Sequence, residues 1–374
     1  MARHKVKVAA VMSAGLGFER LIETAKRYEA EGLSDLVWPD HLMGLYPQSI
    51  WTEEFTPLAK LQKTPNVYFD VMAVAAAVAM ATSRIGLQLG VTEPFRRHPA
   101  MLAQEALTLD HISKGRFVLG LGSGEGENII PYGIDFKKPV TRLEEALKII
   151  RLLWSTDQPV NFDGEIWKLK DAVLGLRPYG EKPPQIWLAA MGPRMLDLCA
   201  RYADGWIPVK PLPENYGPKL AKIKELGAKY GRDLSNMPAS MIAFSIILND
   251  HDEIHKLMER PLCKAFALGA TEPEVYEKHG AQHPFGHDFR GLQHYIPTNY
   301  TKEDILEAVK KIPFEVVHDS FFHGTPDEIC EQLENYADQG LNHVQMMLTT
   351  GIWDLNKLPQ SIEGLIKVNK YFNG

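Results

Sequence analysis

The sequence predicts an α/β fold, a closed (β/α)8 barrel, and three observations carry that expectation. Eight short apolar runs are each bounded by turn signals, and most lead into apolar residues at helical spacing. Alternation of this kind argues for a parallel sheet covered by helices, and eight units over 374 residues suit a closed barrel better than an open sheet. The turns rich in glycine, carboxylate and histidine follow the runs, where a barrel carries its chemistry.

The elements follow in order. Lys5 to Met12 is the first run, and Phe18 to Tyr28 supplies a helix. Asp35 to Trp38 ends in Pro39-Asp40-His41. Arg84 to Leu89 ends in Gly90-Val91-Thr92-Glu93-Pro94, and Ala100 to Ile112 reads as a helix. Arg116 to Leu121 runs into Gly122-Ser123-Gly124-Glu125-Gly126-Glu127-Asn128, the most informative stretch of the chain. Three glycines in five positions let backbone approach another group closely, beside two carboxylates and an amide. Pro184 to Ala190 ends in Met191-Gly192-Pro193-Arg194, with a helix to Tyr202. Gly205 to Val209 precedes another helix, Met241 to Leu248 is a later strand, and His343 to Leu348 is the last. A closing helix spans about Gln360 to Tyr371.

Three stretches interrupt the alternation. Residues 42–67 form a long loop rich in aromatics and proline, 158–178 read as a β-hairpin around Asn161-Phe162-Asp163-Gly164, and 271–301 are irregular and rich in histidine. No repeat, low-complexity tract or linker divides the chain, so residues 1–374 are expected to form one domain.

Composition narrows the function. Hydrophobic residues make up 45%, enough for a large core. A net charge of −6 and a pI near 6.1 leave no basic stripe for nucleic acid. No run reaches the 18 or more apolar residues of a membrane span, and no apolar signal core follows the basic N-terminus, so a cytoplasmic protein is expected. Cys199, Cys263 and Cys330 lie far apart with no CxxC pair and are expected to be reduced and buried. His283 and His287 have the spacing of a helical metal pair, but Pro284 and Gly286 disfavour that helix. His251 and His255 could share a helix face, yet Asp252, Glu253 and Lys256 mark it as solvated. No metal is expected.

Asp40-His41, Gly90-Val91, the Gly122-Ser123-Gly124-Glu125 turn with Asn128, Ala189-Ala190-Met191-Gly192-Pro193 and Ala203-Asp204-Gly205-Trp206, in this order, resemble the bacterial luciferase-like (β/α)8 superfamily. Within it the chain is most similar to coenzyme F420-dependent oxidoreductases, its Leu42–Thr52 segment to the ketoreductase branch. The resemblance implies a TIM barrel holding a deazaflavin at its mouth, with a non-prolyl cis peptide at Gly90-Val91 behind the ring. It implies that His41 exchanges a proton with the substrate oxygen and that Glu125 assists protonation of the ring. Asp40, Gly90, Val91, Ser123, Gly124, Gly126 and Asn128 would line the cofactor. Met191 and Gly192, opening a helix, would hold its phosphate. A homodimer acting on a small molecule is expected.

The sugar-phosphate enzymes of that group carry a tryptophan four residues beyond the histidine, where this chain has Leu45. Of their phosphate-holding cations only Lys210 finds a match, with Arg290 a further candidate. Leu45, Trp51 and the aromatic loop favour an apolar alcohol or ketone. The alternative reading is a reduced-flavin (FMN) monooxygenase.

Overall fold

The computed structural model describes residues 2–12 and 17–374. Its strands are β1 (Lys7–Val11), β2 (Asp35–Trp38), β3 (Gly86–Leu89), β4 (Phe117–Leu121), β5 (Val160–Asp163), β6 (Lys168–Ala172), β7 (Gln185–Leu188), β8 (Gly205–Trp206), β9 (Ile242–Ile247), β10 (Phe322–Gly324) and β11 (His343–Leu348). The helices are α1 (Phe18–Ala30), α2 (Val71–Ala81), α3 (Pro99–Ser113), α4 (Pro139–Ser155), α5 (Pro193–Tyr202), α6 (Pro213–Lys229), α7 (His251–Met258), α8 (Pro261–Ala270), α9 (Pro273–Lys278), α10 (Lys302–Lys310), α11 (Phe314–Ser320), α12 (Pro326–Ala337), α13 (Thr350–Trp353) and α14 (Leu358–Asn373).

Nine strands form one parallel sheet in the order β10-β9-β11-β1-β2-β3-β4-β7-β8. Isolated bridges from Trp206 to Ala239 and from Val209 to Ile242 join β8 to the start of β9 and close the ring. The eight anticipated runs are the ring strands, and the architecture is the expected TIM-barrel type. The apolar runs follow from burial on both faces: Leu36, Leu87, Leu119 and Ile186 sit at full burial under the helices. Helix ends are fixed by local chemistry. Asp70 accepts the amides of Met72 and Ala73 to start α2, and Thr325 with Glu328 forms a capping box on α12.

The structure departs from the sequence reading at β8 and β10. The Gly205–Val209 run is a ladder for only two residues, after which it runs beside the start of β9, with Ile242 donating to the Pro208 carbonyl and Lys210 to the Ile242 carbonyl. The three-residue β10, which no periodicity could reveal, pairs instead with the end of β9, Phe322 opposite Ser245 and Gly324 opposite Ile247.

The expected hairpin is present as antiparallel β5 and β6. The other two interruptions are packed rather than loose. Residues 42–67 carry two 3₁₀ turns, and Trp51 donates its indole N–H to the Gln62 carbonyl at 2.8 Å. Residues 271–301, expected to be irregular, contain α9 and two more 3₁₀ turns around stacked Phe285, Tyr295 and Tyr300. A second apolar core joins these loops to α8, α10 and α11. His283 belongs to it: its Nε2–H donates to the Leu268 carbonyl, and burial pushes its pKa down to about 4. All three cysteines are free and buried. Among the described residues no helix is long and apolar enough to cross a membrane.

Candidate active site

The loops after β2 and β4 meet at the mouth. His41 follows β2, and its Nδ1–H donates to the Met43 carbonyl at 3.1 Å. That bond can run only one way, so it fixes the ring and turns Nε2 to Glu125, whose Oε2 is 3.3 Å away. In neutral His41 this nitrogen is an acceptor. A single proton therefore suits the space between imidazole and carboxyl group.

Asn128 holds the two loops together. Its Oδ1 accepts the amides of Leu42 at 2.7 Å and Met43 at 3.0 Å, while Nδ2 donates to Glu125 and Glu127 at 3.3 Å each. Glu127 is fully buried, and its Oε2 has no partner. Burial first, and then the neighbouring charge of Glu125, pushes its carboxyl far above the usual range. Donor atoms of His41, Glu125 and Glu127 all lie within 4.8 Å of one another. A cation could use that spacing, but it would have to break the His41–Glu125 contact that a shared proton satisfies. Tyr68 stacks on His41 with ring centroids 5.4 Å apart. Burial, with Glu127 and Glu125 nearby, raises its phenol pKa.

A cavity of about 210 Å³ opens here, with His41, Glu125 and Gly90 on one side. Its other walls are mostly apolar, lined by Leu45, Trp51, Phe244, Phe266, Leu292 and Met347, with Gln62 among them. The Gly90-Val91 peptide is cis, as expected. A Cβ on Gly90 would overlap the Val37 side chain, and one on Gly120 would overlap the Leu89 carbonyl.

The remaining candidates divide by position. Asp40 lies behind the mouth rather than in its wall. Its carboxylate accepts the Thr92 hydroxyl at 2.6 Å, pairs with Arg97 and sits 3.3 Å from Arg96. It anchors the His41 loop. Gly126 is buried too, and a Cβ there would overlap the Gln293 carbonyl, so it serves the packing of the 291–293 turn. Gly124, at φ +96°, packs toward Ile129, Phe136 and Phe95. Ser123 stays half-buried beside it, and Val91 presses on Gly122, where a Cβ would come within 2.8 Å of its Cγ2. Met191 is half-buried, and Gly192 is exposed with open space before α5.

Two substrate candidates do not reach the mouth. Val209 lines the cavity, so the next residue on the extended chain, Lys210, turns to the outside of the wall and donates to the Asp319 carbonyl. Arg290 is exposed on its loop, where its charge acts on Glu272. The sequence reading also missed Glu127 and Tyr68. Glu127 stood inside the motif already singled out, two residues from Glu125, but its burial had no signature there. Tyr68 has no local signal at all.

Residues 4–343 match the family of luciferase-like monooxygenases. The chain belongs to that family. A phthiodiolone/phenolphthiodiolone dimycocerosates ketoreductase of Mycobacterium tuberculosis is 36% identical over 319 residues, covering 84% of each chain. An F420-dependent secondary alcohol dehydrogenase, solved in complex with an F420-acetone adduct, superimposes with a TM-score of 0.76 at 21% identity, covering 98% of both chains. The oxygenating constituent of 3,6-diketocamphane monooxygenase from Pseudomonas putida, in complex with FMN, gives 0.68 at 16% identity, covering 98% of this chain and 97% of its own. The likeness to the two solved structures is one of fold. By sequence the chain is thus related to a ketoreductase, and it shares its fold with an F420-dependent and an FMN-binding enzyme.

Proposed function

We propose that this protein is an F420-dependent oxidoreductase that moves a hydride between deazaflavin C5 and the carbinol or carbonyl carbon of an apolar alcohol or ketone. One observation carries the reading: His41 Nε2 and Glu125 Oε2 lie 3.3 Å apart at a cavity whose other walls are mostly apolar. The similarity to a ketoreductase over most of the chain supports it.

The residues present fit such a group. Gly90 and Glu125 line the cavity together, and the amides opening α5 suit a phosphate. When bound, the deazaflavin supplies the two-electron chemistry. The protein orients and moves protons. His41 takes the hydroxyl proton of an alcohol, or gives one to a carbonyl oxygen, at Nε2. The Met43 carbonyl holds the ring for this, and Tyr68 limits its tilt. Glu125 returns the proton balance to His41, and Glu127, kept protonated by burial, prevents a second negative charge beside it. Leu45, Trp51 and Phe244 exclude water and favour an apolar substrate.

For assembly we propose a homodimer through α2. All eleven residues of Val71–Ala81 are apolar, yet Met80 is 78% exposed, and a helix apolar all round is normally covered. A monomer at micromolar concentration in sedimentation would remove that part.

The test is titration of purified protein with F420 and with FMN in parallel. Quenching of deazaflavin fluorescence at micromolar ligand, with no comparable FMN response, is expected. Preferential FMN binding with oxygen-dependent turnover would replace this reading by a flavin monooxygenase.

A further inference from the structure

Past β8 the chain runs beside the start of β9, and β10 pairs with the end of β9. Outside this part of the wall lies a second cavity of about 510 Å³. It is separate from the mouth: Val209 lines one and Lys210 the other, on opposite sides of the wall.

The polar groups of this cavity are unevenly matched. Lys210 Nζ donates to one backbone carbonyl, that of Asp319, and rests 5.1 Å from the Phe322 ring centroid. Its two other N–H groups have no carboxylate partner among the described residues. His323 stacks edge-on to His318 at 4.2 Å, and its buried Nδ1 has no partner. The inner carboxylates are already engaged. Asp319 accepts from Lys278 at 2.7 Å and lies 3.0 Å from His279 and 3.4 Å from His318. Glu328 caps α12 and contacts His251 at 3.0 Å. Glu214 and Glu331 remain, exposed at the rim.

A partly buried ammonium group with one neutral acceptor has donors to spare, and an imidazole nitrogen with no partner is poorly satisfied. A small oxyanion would satisfy both at once. We propose that this outer cavity is a binding site for a phosphate or carboxylate group, held by Lys210 and His323 and independent of the mouth. The electrostatics agree with the geometry. Burial pushes the Lys210 pKa down to about 8, opposed by the charge of Asp319 and helped by that of Lys278. Burial and the surrounding cations push His323 down to about 3. The Asp319 charge offsets burial only in part at Lys210, and an oxyanion would add to it, while His323 stays neutral and would donate through an N–H. The volume exceeds that of inorganic phosphate, so the anionic group belongs to a larger small molecule.

Calorimetry with inorganic phosphate and, separately, citrate tests this without any redox cofactor. Its failure would therefore leave the proposed oxidoreductase untouched. Binding with Kd at or below about 1 mM is expected. Lys210→Gln and His323→Phe should each weaken it at least tenfold, with the melting curve confirming that each variant is folded. His41→Ala, at the mouth, should bind phosphate as wild type does. The stronger of the two probes identifies the anion as phosphate or carboxylate. Binding weaker than about 10 mM for both probes would overturn the proposal. So would an unchanged affinity in either folded variant, or loss of binding in His41→Ala.

Discussion

Two of the histidine–carboxylate pairs sit at opposite ends of the barrel strands, and both are largely buried. His41 and Glu125 at the mouth have side chains 14% and 27% exposed; His343 and Asp35 at the opposite end have 2% and 17%. By hydrogen bonding the lower pair is the more elaborate. His343 Nε2 meets Asp35 at 2.9 Å and Nδ1 meets the Ser240 hydroxyl at 2.8 Å, which is the constellation of a nucleophilic triad. Yet both ring nitrogens are spoken for, Ser240 is fully buried, and Trp187 closes edge-on at 5.0 Å. A Cβ on Gly86 would overlap the Asp35 carboxyl group. No reactant can approach Ser240. The upper pair uses one nitrogen on a backbone carbonyl and aims the other into a cavity. Open access at strand C-terminal ends, rather than the residue types, separates chemistry from stability.

The largest expected effect breaks the comparison if it fails. His41→Ala should cut turnover of an accepted alcohol or ketone by about a hundredfold or more, the scale of a lost general acid or base, with F420 binding and melting temperature little changed. A folded, F420-binding variant with near wild-type turnover would remove His41 from the proton path.

The lower pair should respond in the opposite sense. Asp35→Asn is expected to cost about 3 kcal/mol of stability by leaving His343 without its charged partner, read from denaturant melts. Activity per folded molecule should stay within about twofold of wild type. Burial acts to raise the Asp35 pKa, but the hydrogen bond and charge of His343 outweigh it and hold the carboxyl below its usual value. Its stabilisation is therefore present above the unfolded value of about 4 and is lost as pH falls through the lower folded value. Asp35→Asn should flatten this acid limb.

Glu127 gives the reverse sign at the other end. Its folded pKa is raised, so the wild-type protein is favoured below the unfolded value of about 4.3 and loses stability as pH rises toward the folded value. Glu127→Gln stays neutral throughout. It should melt higher than wild type at neutral and alkaline pH, and it should keep turnover on the alkaline side where wild type declines. Identical pH profiles for the two proteins would show that Glu127 does not govern the charge beside Glu125.

The two ends were not equally legible. Asp40-His41, Gly90-Val91 and the Gly122–Asn128 turn could be read because each is a short segment tied to the end of an apolar run. The Asp35–His343 contact joins residues 308 apart and has no local trace. Lys210 was misplaced for a related reason. Which way a strand-end residue points depends on its register against the next strand, and Val209, opposite Ile242, takes the inward place. β10 is too short for any period to show. Burial of Glu127 follows from how Asn128 and the 291–293 turn close over it, which is decided in three dimensions.

The smallest effect sharpens the boundary of the upper site. Trp51 lines the cavity but lies off the proton path, with its indole N–H on the Gln62 carbonyl at 2.8 Å and its ring 5.7 Å from Tyr46. Trp51→Phe keeps an apolar wall and removes one buried hydrogen bond. The expected cost is about 1 kcal/mol of stability. If the wall acts by uniform binding, KM for a bulky apolar ketone should rise about threefold while kcat holds, since ground and transition states lose the same contact. A fall in kcat instead would extend the reacting geometry to the 42–67 loop, and the separation between proton-handling side and apolar side would have to be redrawn.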